Sequence, residues 1–370
     1  MQHSGSDPGG AADLRVCVLW TRLSGYLSAS LHALAELDVD LVVVHEAAAD
    51  DAPFDDEVLT AGFRAVAWTG RPDAHAVDEL IDGFDPDVLV VNSWHVGAYR
   101  RAARRRRGRA LRIVTVHNQW TATPKQVVAR VAAPVLLRPT YDAAFVCDER
   151  QAVFAEKLGF PAERMLWGVN TCDHVTFAAV AAQRGDTLPP PGFLFVGRLV
   201  ADKAIDVLAD AYVRYRAQAA DPWPLLVAGL GAEASLLSGI DGVEMLGFVQ
   251  PAELPSVFAR AGCLVLPSRL EPWAVVVHEA TSAGLPVVCT RACGAASRLV
   301  LDGFNGAIVS PGNAVGLARA LERVAGAGDH DRRAMGQGSM LLSRQYTPER
   351  WAQTVVAGSA RLRHELDLTS

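Results

Sequence analysis

The chain has 370 residues, half of them hydrophobic and about a fifth charged, with a formal net charge of −6. That composition belongs to a folded α/β-sized protein of two domains rather than to a disordered or fibrous chain. The acidic balance excludes a dedicated nucleic-acid binder, and no run approaches the ~18 apolar residues of a membrane span.

In chain order, residues 1–13 (MQHSGSDPGGAAD) read as a disordered tail that lacks the apolar core of a signal peptide. Short apolar runs then alternate with helix-length amphipathic segments, the pattern of parallel α/β domains. The first half offers strands at 15–20, 41–45, 63–68, 88–92, 112–116 and 143–147. The prolines of DTLPPPG mark a linker, after which the pattern restarts at 193–197, 225–229, 243–247, 263–267, 286–290 and 306–310. Two six-strand doubly wound units follow, over 14–185 and 186–346, with a cleft between them as the expected ligand site. Thr347 as N-cap and Pro348 at the first helical position open a closing helix within 347–370 of about 18 residues.

The six cysteines, Cys17, Cys147, Cys172, Cys263, Cys289 and Cys293, are dispersed, and four of them sit in or at the ends of strand-like runs. Free cysteine there acts as a small hydrophobe. Only Cys289 and Cys293 are close, with no second pair to complete a zinc site. A reducing, cytoplasmic setting and a chain without a metal are therefore expected.

Two stretches carry chemistry. In FLFVGRLVADKAIDVLADAYVRYR a buried strand ends at Gly197, and a polar loop bearing Arg198 and Lys203 leads to a helix starting near Ala204. Ligands of open α/β sheets bind at that end, and two cations there suit a diphosphate. In CLVLPSRLEPWAVVVHEATSAGLP a strand, a loop and a helix closed by Gly284 put Glu271 in the loop and Glu279 about one and a half turns into the helix. Eight residues at 1.5 Å rise span about 12 Å, of the order of the distance between the hexose and the ribose of a nucleotide sugar. Free N–H groups near Ala274 to Val276 would face the charged middle of such a ligand.

These residues resemble a retaining glycosyltransferase of family 4, whose two-Rossmann-domain architecture is called GT-B. The likeness rests on Arg198 and Lys203 in GRLVADK, on the Glu-x7-Glu of EPWAVVVHE, on GLP at 284–286 and on DGFNG at 302–306. It is strong from about 193 to 310 and weaker through the first half. It implies an α/β GT-B fold, an acceptor domain and a donor domain, and a last helix that crosses back onto the first domain. Arg198 and Lys203 would bind the donor diphosphate, Glu271 the hexose and Glu279 the ribose, with the backbone near Phe248 and Val249 at the base. Gly197, Gly229, Trp273, Ala274 and Val275 complete the expected donor site, and Gly25 would let the first domain's backbone approach the diphosphate.

By the same likeness His117, just past a strand, would face the donor sugar, and His95, Asn118, Trp120 and Lys125 would line the acceptor pocket. Arg298 departs from the pattern, since many relatives have a glutamate ahead of the DG loop. The implied activity is metal-independent transfer of a hexose from a nucleoside-diphosphate sugar, with UDP the default, to a small natural product or a cell-surface glycan or lipid precursor. The enzyme would be a monomer or homodimer. Two other readings stay open. Gly229-x-Gly231-x-x-Ala234 is a passable NAD fingerprint that lacks an acid at the end of the next strand, and the other reading is a homologue that keeps the fold without sugar transfer. The arginine run of YRRAARRRRGRALR at 99–112 reads mostly as a solvated helix end, with contact to anionic lipid or to a phosphorylated acceptor as the functional option.

Overall fold

The computed structural model describes residues 14–48 and 54–368, so the tail expected over 1–13 lies outside the described residues. The first half is built in order from β1 (Arg15–Arg22), α1 (Gly25–Ala35), β2 (Asp40–Glu46), α2 (Asp56–Thr60), β3 (Arg64–Trp68), α3 (Ala74–Phe84) and β4 (Val88–Val91). It continues with α4 (Gly97–Arg105), β5 (Leu111–Val116), α5 (Pro124–Leu136), β6 (Ala143–Val146), α6 (Glu149–Lys157), β7 (Met165–Trp167) and α7 (His174–Arg184). The second half comprises β8 (Phe193–Val196), α8 (Ile205–Gln218), β9 (Leu225–Ala228), β10 (Val243–Gly247), α9 (Leu254–Ala259), β11 (Cys263–Leu266) and α10 (Val275–Ser282). It ends with β12 (Val287–Thr290), α11 (Ala296–Leu299), β13 (Gly306–Val309), α12 (Ala314–Ala325), α13 (Asp329–Ser343) and α14 (Pro348–Glu365).

Both sheets are wholly parallel. The first has the order β3-β2-β1-β4-β5-β6-β7, the second β10-β9-β8-β11-β12-β13. Strands such as β4, β8 and β11 are apolar along their length because helices cover both faces, so they show no alternation. The order in which strands are added across the sheet reverses between β1 and β4 and between β8 and β11, and these switch points open crevices at the carboxyl ends of the strands.

Two expectations about the layout need correction. The first sheet has seven strands rather than six, because β7 adds an edge strand beside β6 through Ala144–Met165 pairing. Helix α7, assigned with the first unit, packs on α9 and α10 of the second: Phe177 meets Phe258 edge-on at 5.0 Å and Arg184 donates to the Ala283 carbonyl at 3.1 Å. The chain therefore changes units before α7, not after it. Helix α14 is capped by the Thr347 side chain, which accepts from the Arg350 N–H, and it packs on α1, β5 and β7. There the Trp351 indole donates to the Val169 carbonyl at 3.1 Å and Arg363 to Asp87 at 2.9 Å.

The arginine run is also less solvated than its sequence suggests. Helix α3 lies beside α4 and supplies its counter-charges: Asp78 to Arg101 and Arg105, Asp82 to Arg105 and Arg106, and Asp85 to Arg106 and Arg109. Arg106 is fully buried among them. Most of this stretch is therefore spent within the fold and is not a free basic surface.

Candidate active site

The two chemistry-bearing loops emerge from adjacent strands at the second switch point. After β8 the chain turns through Arg198 and a short 3-10 turn, Ala201–Lys203, and enters α8 from Ala204, which takes a left-handed conformation at φ 56°. After β11 it passes Ser268 to Ala274, itself left-handed at φ 80°, and enters α10. The loops are stitched together. The Arg269 N–H donates to the Asp202 carbonyl at 2.8 Å, and the Arg269 guanidinium grips Asp206 with two bonds of 2.7 and 2.6 Å. Planar two-point pairing of this kind fixes position as well as charge.

Between the stitched loops the Lys203 ammonium donates directly to the Glu271 carboxylate. Their side chains are 18% and 9% exposed, so the pair is largely withdrawn from water. Arg198 is exposed and makes no ion pair among the described residues. An exposed arginine and a largely buried lysine thus share the loop at the carboxyl end of β8, and two cations there can neutralise a dianion.

A cavity of about 730 Å³ separates the units. Ser24, Gly25 and Tyr26 at the start of α1 form one wall, and Pro251, Val275 and Glu279 form the facing one. Glu279 is partly exposed to this cavity, and desolvation together with the neighbouring Asp173 carboxylate pushes its pKa up to about 8. Asp173 caps α7, accepting from the Thr176 N–H at 3.1 Å. A side chain in place of Gly25 would have its Cβ 2.9 Å from that of Pro251, so glycine allows the units to approach there. Nearby, Phe54 of the first unit meets Phe248 of the second edge-on at 5.7 Å.

A second cavity of about 280 Å³ lies at the ends of β4 and β5 and collects His95, His117, Asn118 and Lys125. His117 Nδ1 lies 3.1 Å from Asn170 Oδ1, and Nε2 lies 3.0 Å from Thr115 Oγ1. The Asn170 oxygen can only accept, so Nδ1 carries the proton and Nε2 accepts from the threonine. Burial lowers its pKa to about 4, which keeps the ring neutral at pH 7. Trp120 packs on Phe154 of this cavity's wall at 5.7 Å, with the Lys157 ammonium 5.1 Å over its face.

The sequence-derived residues thus fall into three neighbouring groups rather than one. Gly25, Val275 and Glu279 line the large cavity, His95, His117, Asn118 and Lys125 the small one, and Arg198, Lys203 and Glu271 lie outside the walls of both. Trp273 is turned away, 2% exposed and edge-on to Tyr346 at 5.5 Å. Val249 and Ala274 are partly or wholly packed into the second unit's core. Gly229 and Gly231 have a packing explanation: a Cβ on Gly229 would strike the Gly197 carbonyl and one on Gly231 the Leu199 carbonyl, whereas a Cβ on Gly197 would meet only ordinary contacts. The NAD-like spacing is therefore accounted for by close backbone approach, which weakens the dinucleotide reading.

Sequence reasoning missed Tyr26, Phe54 and Asp173 on the cavity walls, and Asp148 on the seam beside them. The Asp-x-x-Thr start of α7 was the one local signal available for Asp173. Asp148 accepts from Ser297 at 2.8 Å and from Arg298 Nε at 2.9 Å across the units, and Arg298 also reaches Glu149. This gives the irregular Arg298 a task. Beside it Gln151 donates to the Pro272 carbonyl at 2.7 Å, and the Gly294 N–H to the Glu271 carbonyl at 3.1 Å, so the seam between units also steadies the Glu271 loop. Among the described residues, no group of three His, Cys, Asp or Glu side chains could hold a metal ion, and all six cysteines are free and buried. No described helix is long and apolar enough to cross a membrane.

Residues 24–167 match the family described as Glycosyl transferase 4-like domain, and residues 190–326 the family described as Glycosyl transferases group 1. The chain is 33% identical over 215 residues to a D-inositol 3-phosphate glycosyltransferase of Salinispora tropica, covering 52% of this chain and 43% of that one. It is 30% identical over 226 residues to an exopolysaccharide phosphotransferase of Streptomyces coelicolor, covering 58% of this chain and 23% of that protein. The matched stretches are thus less than half the length of these relatives. Among solved structures, Anabaena HepE in complex with UDP and glucose superposes with a TM-score of 0.72 at 18% identity, over 93% of this chain and 99% of that one, a likeness of fold.

Proposed function

From its membership of the GT-B glycosyltransferases, shown by matches on both of its domains, we infer that this chain moves a hexose-type sugar from a nucleoside-diphosphate sugar to an acceptor hydroxyl, without a metal and with retention of anomeric configuration. The observation that carries this reading is the Lys203–Glu271 pair beside the free Arg198 at the β8/β11 switch point. A diphosphate there draws Lys203 and Arg198 onto its oxygens and stabilises the departing charge, which preorganised cations do without reorganisation. Glu271, released from Lys203, accepts from hexose hydroxyls, and Glu279 accepts from those of the ribose. Uracil is the favoured base, by analogy with the UDP complex of HepE.

His117, neutral and held at both ring nitrogens, serves as a fixed wall of the acceptor side and not as a proton carrier. The departing phosphate is the group that takes the acceptor proton, with attack on the same face. The acceptor is either a small natural product or a glycan or lipid precursor.

The test is thermal shift of the purified chain against UDP, GDP, TDP, ADP and NAD, each with EDTA. A ligand at about 100 times its Kd adds about 2.7 kcal/mol, a shift of several degrees. Stabilisation by one nucleoside diphosphate, lost in Lys203→Met, is the expected result. Stabilisation by NAD alone overturns the assignment.

A further inference from the structure

A third cavity, of about 450 Å³, lies on the seam between the units and shares no lining residue with the two described above. Its size falls within the roughly 300–1,000 Å³ of small-molecule sites, which favour boundaries between domains. The chain passes from the first unit to the second through 168–173 and returns through 344–347, and both crossings border this space. The crossings touch there, since a Cβ on Gly168 would lie 3.7 Å from Tyr346 Cδ1. Helix α14 closes another side with Arg350 and Thr354.

The polar groups of this lining are largely unspent. The Tyr346 and Thr354 hydroxyls and Gln345 Oε1 have no hydrogen-bond partner among the described residues. Arg350 uses its guanidinium once, on the Gln345 carbonyl at 3.0 Å. Burial and the Asp148 carboxylate push the Tyr346 pKa up to about 12, so its hydroxyl is a donor at neutral pH. Charge is matched, because Arg298 and Arg350 stand against Asp148 and Glu149, and an anion would meet those carboxylates. The indole of Trp167, 44% exposed, completes the lining and takes part in no ring contact or hydrogen bond among the described residues. A flat apolar face beside hydroxyl, amide and guanidinium groups complements a pyranose, whose ring face carries C–H groups and whose edge carries hydroxyls.

We propose that this cavity is a carbohydrate-binding site separate from the donor cleft, in which a neutral hexose ring stacks on Trp167 while its hydroxyls bond Arg350, Gln345, Tyr346 and Thr354. The inference does not rest on the proposed sugar transfer, because the lining alone specifies the ligand and binding is read without turnover.

The experiment is saturation-transfer difference NMR of the full chain, titrated with the methyl α-glycosides of glucose, galactose and mannose. At least one is expected to bind with a millimolar Kd, its ring C–H protons saturated most strongly. Trp167→Ala should weaken that binding about tenfold or more, and Glu271→Gln, in the donor cleft, should leave it unchanged. Arg350 is exposed on α14, so Arg350→Ala should keep the parent's melting temperature and still weaken binding severalfold, which tests the site even where Trp167→Ala lowers stability. A chain that binds none of the three glycosides overturns the proposal. So does binding that survives Trp167→Ala and Arg350→Ala but is lost in Glu271→Gln, which would give the hexose to the donor cleft. Displacement of the glycoside by inorganic phosphate would make this an anion site and equally overturn it.

Discussion

Replacing Lys203 with methionine separates the two tasks assigned to it. Its ammonium is the partner of Glu271, whose side chain is only 9% exposed. The substitution keeps most of the apolar stem and leaves that carboxylate without its counter-charge. Removing one member of a buried pair costs about 3–5 kcal/mol, and the 18% exposure of the lysine argues for the lower end. About 3 kcal/mol lowers the melting temperature of a cooperative unit of this domain's size by about 6–12 °C. Adding Glu271→Gln removes the orphaned charge, so the double variant should melt above Lys203→Met, with a coupling of about 1–3 kcal/mol. Activity behaves differently: loss of a cation at the leaving group costs about 10²- to 10³-fold in rate, and the second substitution cannot restore it. The assay is a melting series of parent, both single variants and the double variant, with and without UDP, alongside turnover. Additive melting shifts would refute the pairing, and an undiminished UDP shift in Lys203→Met would refute the diphosphate role.

The pKa of Glu279 stands at about 8 against an ordinary 4.5, so its contribution to stability is complete below pH 4.5 and is lost as pH rises through about 8; melting curves across this range should fall for the parent and flatten for Glu279→Gln. Gly229→Ala drives a methyl into the Gly197 carbonyl at a left-handed position, and should cost about 2 kcal/mol or more, read as a lower denaturant midpoint. Asp148→Asn weakens the bonds from Ser297 and Arg298 that close the two units, so small-angle scattering should report a larger radius of gyration; an unchanged radius would show that the seam does not depend on this carboxylate.

Most strands were legible because parallel strands covered on both faces must be near-continuous apolar runs, as β4, β8 and β11 are. Strand β7 did not, because only three residues pair and Trp167 is 44% exposed, too short and too mixed to separate from a loop. Helix α7 fell to the first unit because it precedes the DTLPPPG linker, and nothing in a helix's own sequence shows which unit buries it. The arginine run misled for a related reason: its acids come from α3, and the Asp78, Asp82 and Asp85 series reads on its own as an ordinary polar face. At the site, Arg198, Lys203 and Glu271 were readable as loop residues that follow strand ends, and Glu279 as a residue within the helix after the second loop, placements fixed by local sequence. Tyr26, Phe54 and Asp173 reach the cavity only through the approach of one unit to the other, which no local pattern encodes.

The same distinction bears on how the site would work. Lys203 and Glu271 hold each other, and both loops are braced, one by the Arg269–Asp206 grip and the other by Gln151 across the seam and by Gly294 within the second unit. On the proposed function a donor therefore does not assemble this site; it exchanges partners within it, with phosphate oxygens replacing Glu271 at Lys203 and hexose hydroxyls replacing Lys203 at Glu271. A ligand that offers only one half of the exchange leaves one charge without a partner in a half-buried setting, which is costly. UDP alone would leave Glu271 unmatched and glucose alone would leave Lys203 unmatched, whereas an intact sugar nucleotide satisfies both. Selectivity for the whole donor over its fragments then follows from the resting ion pair itself.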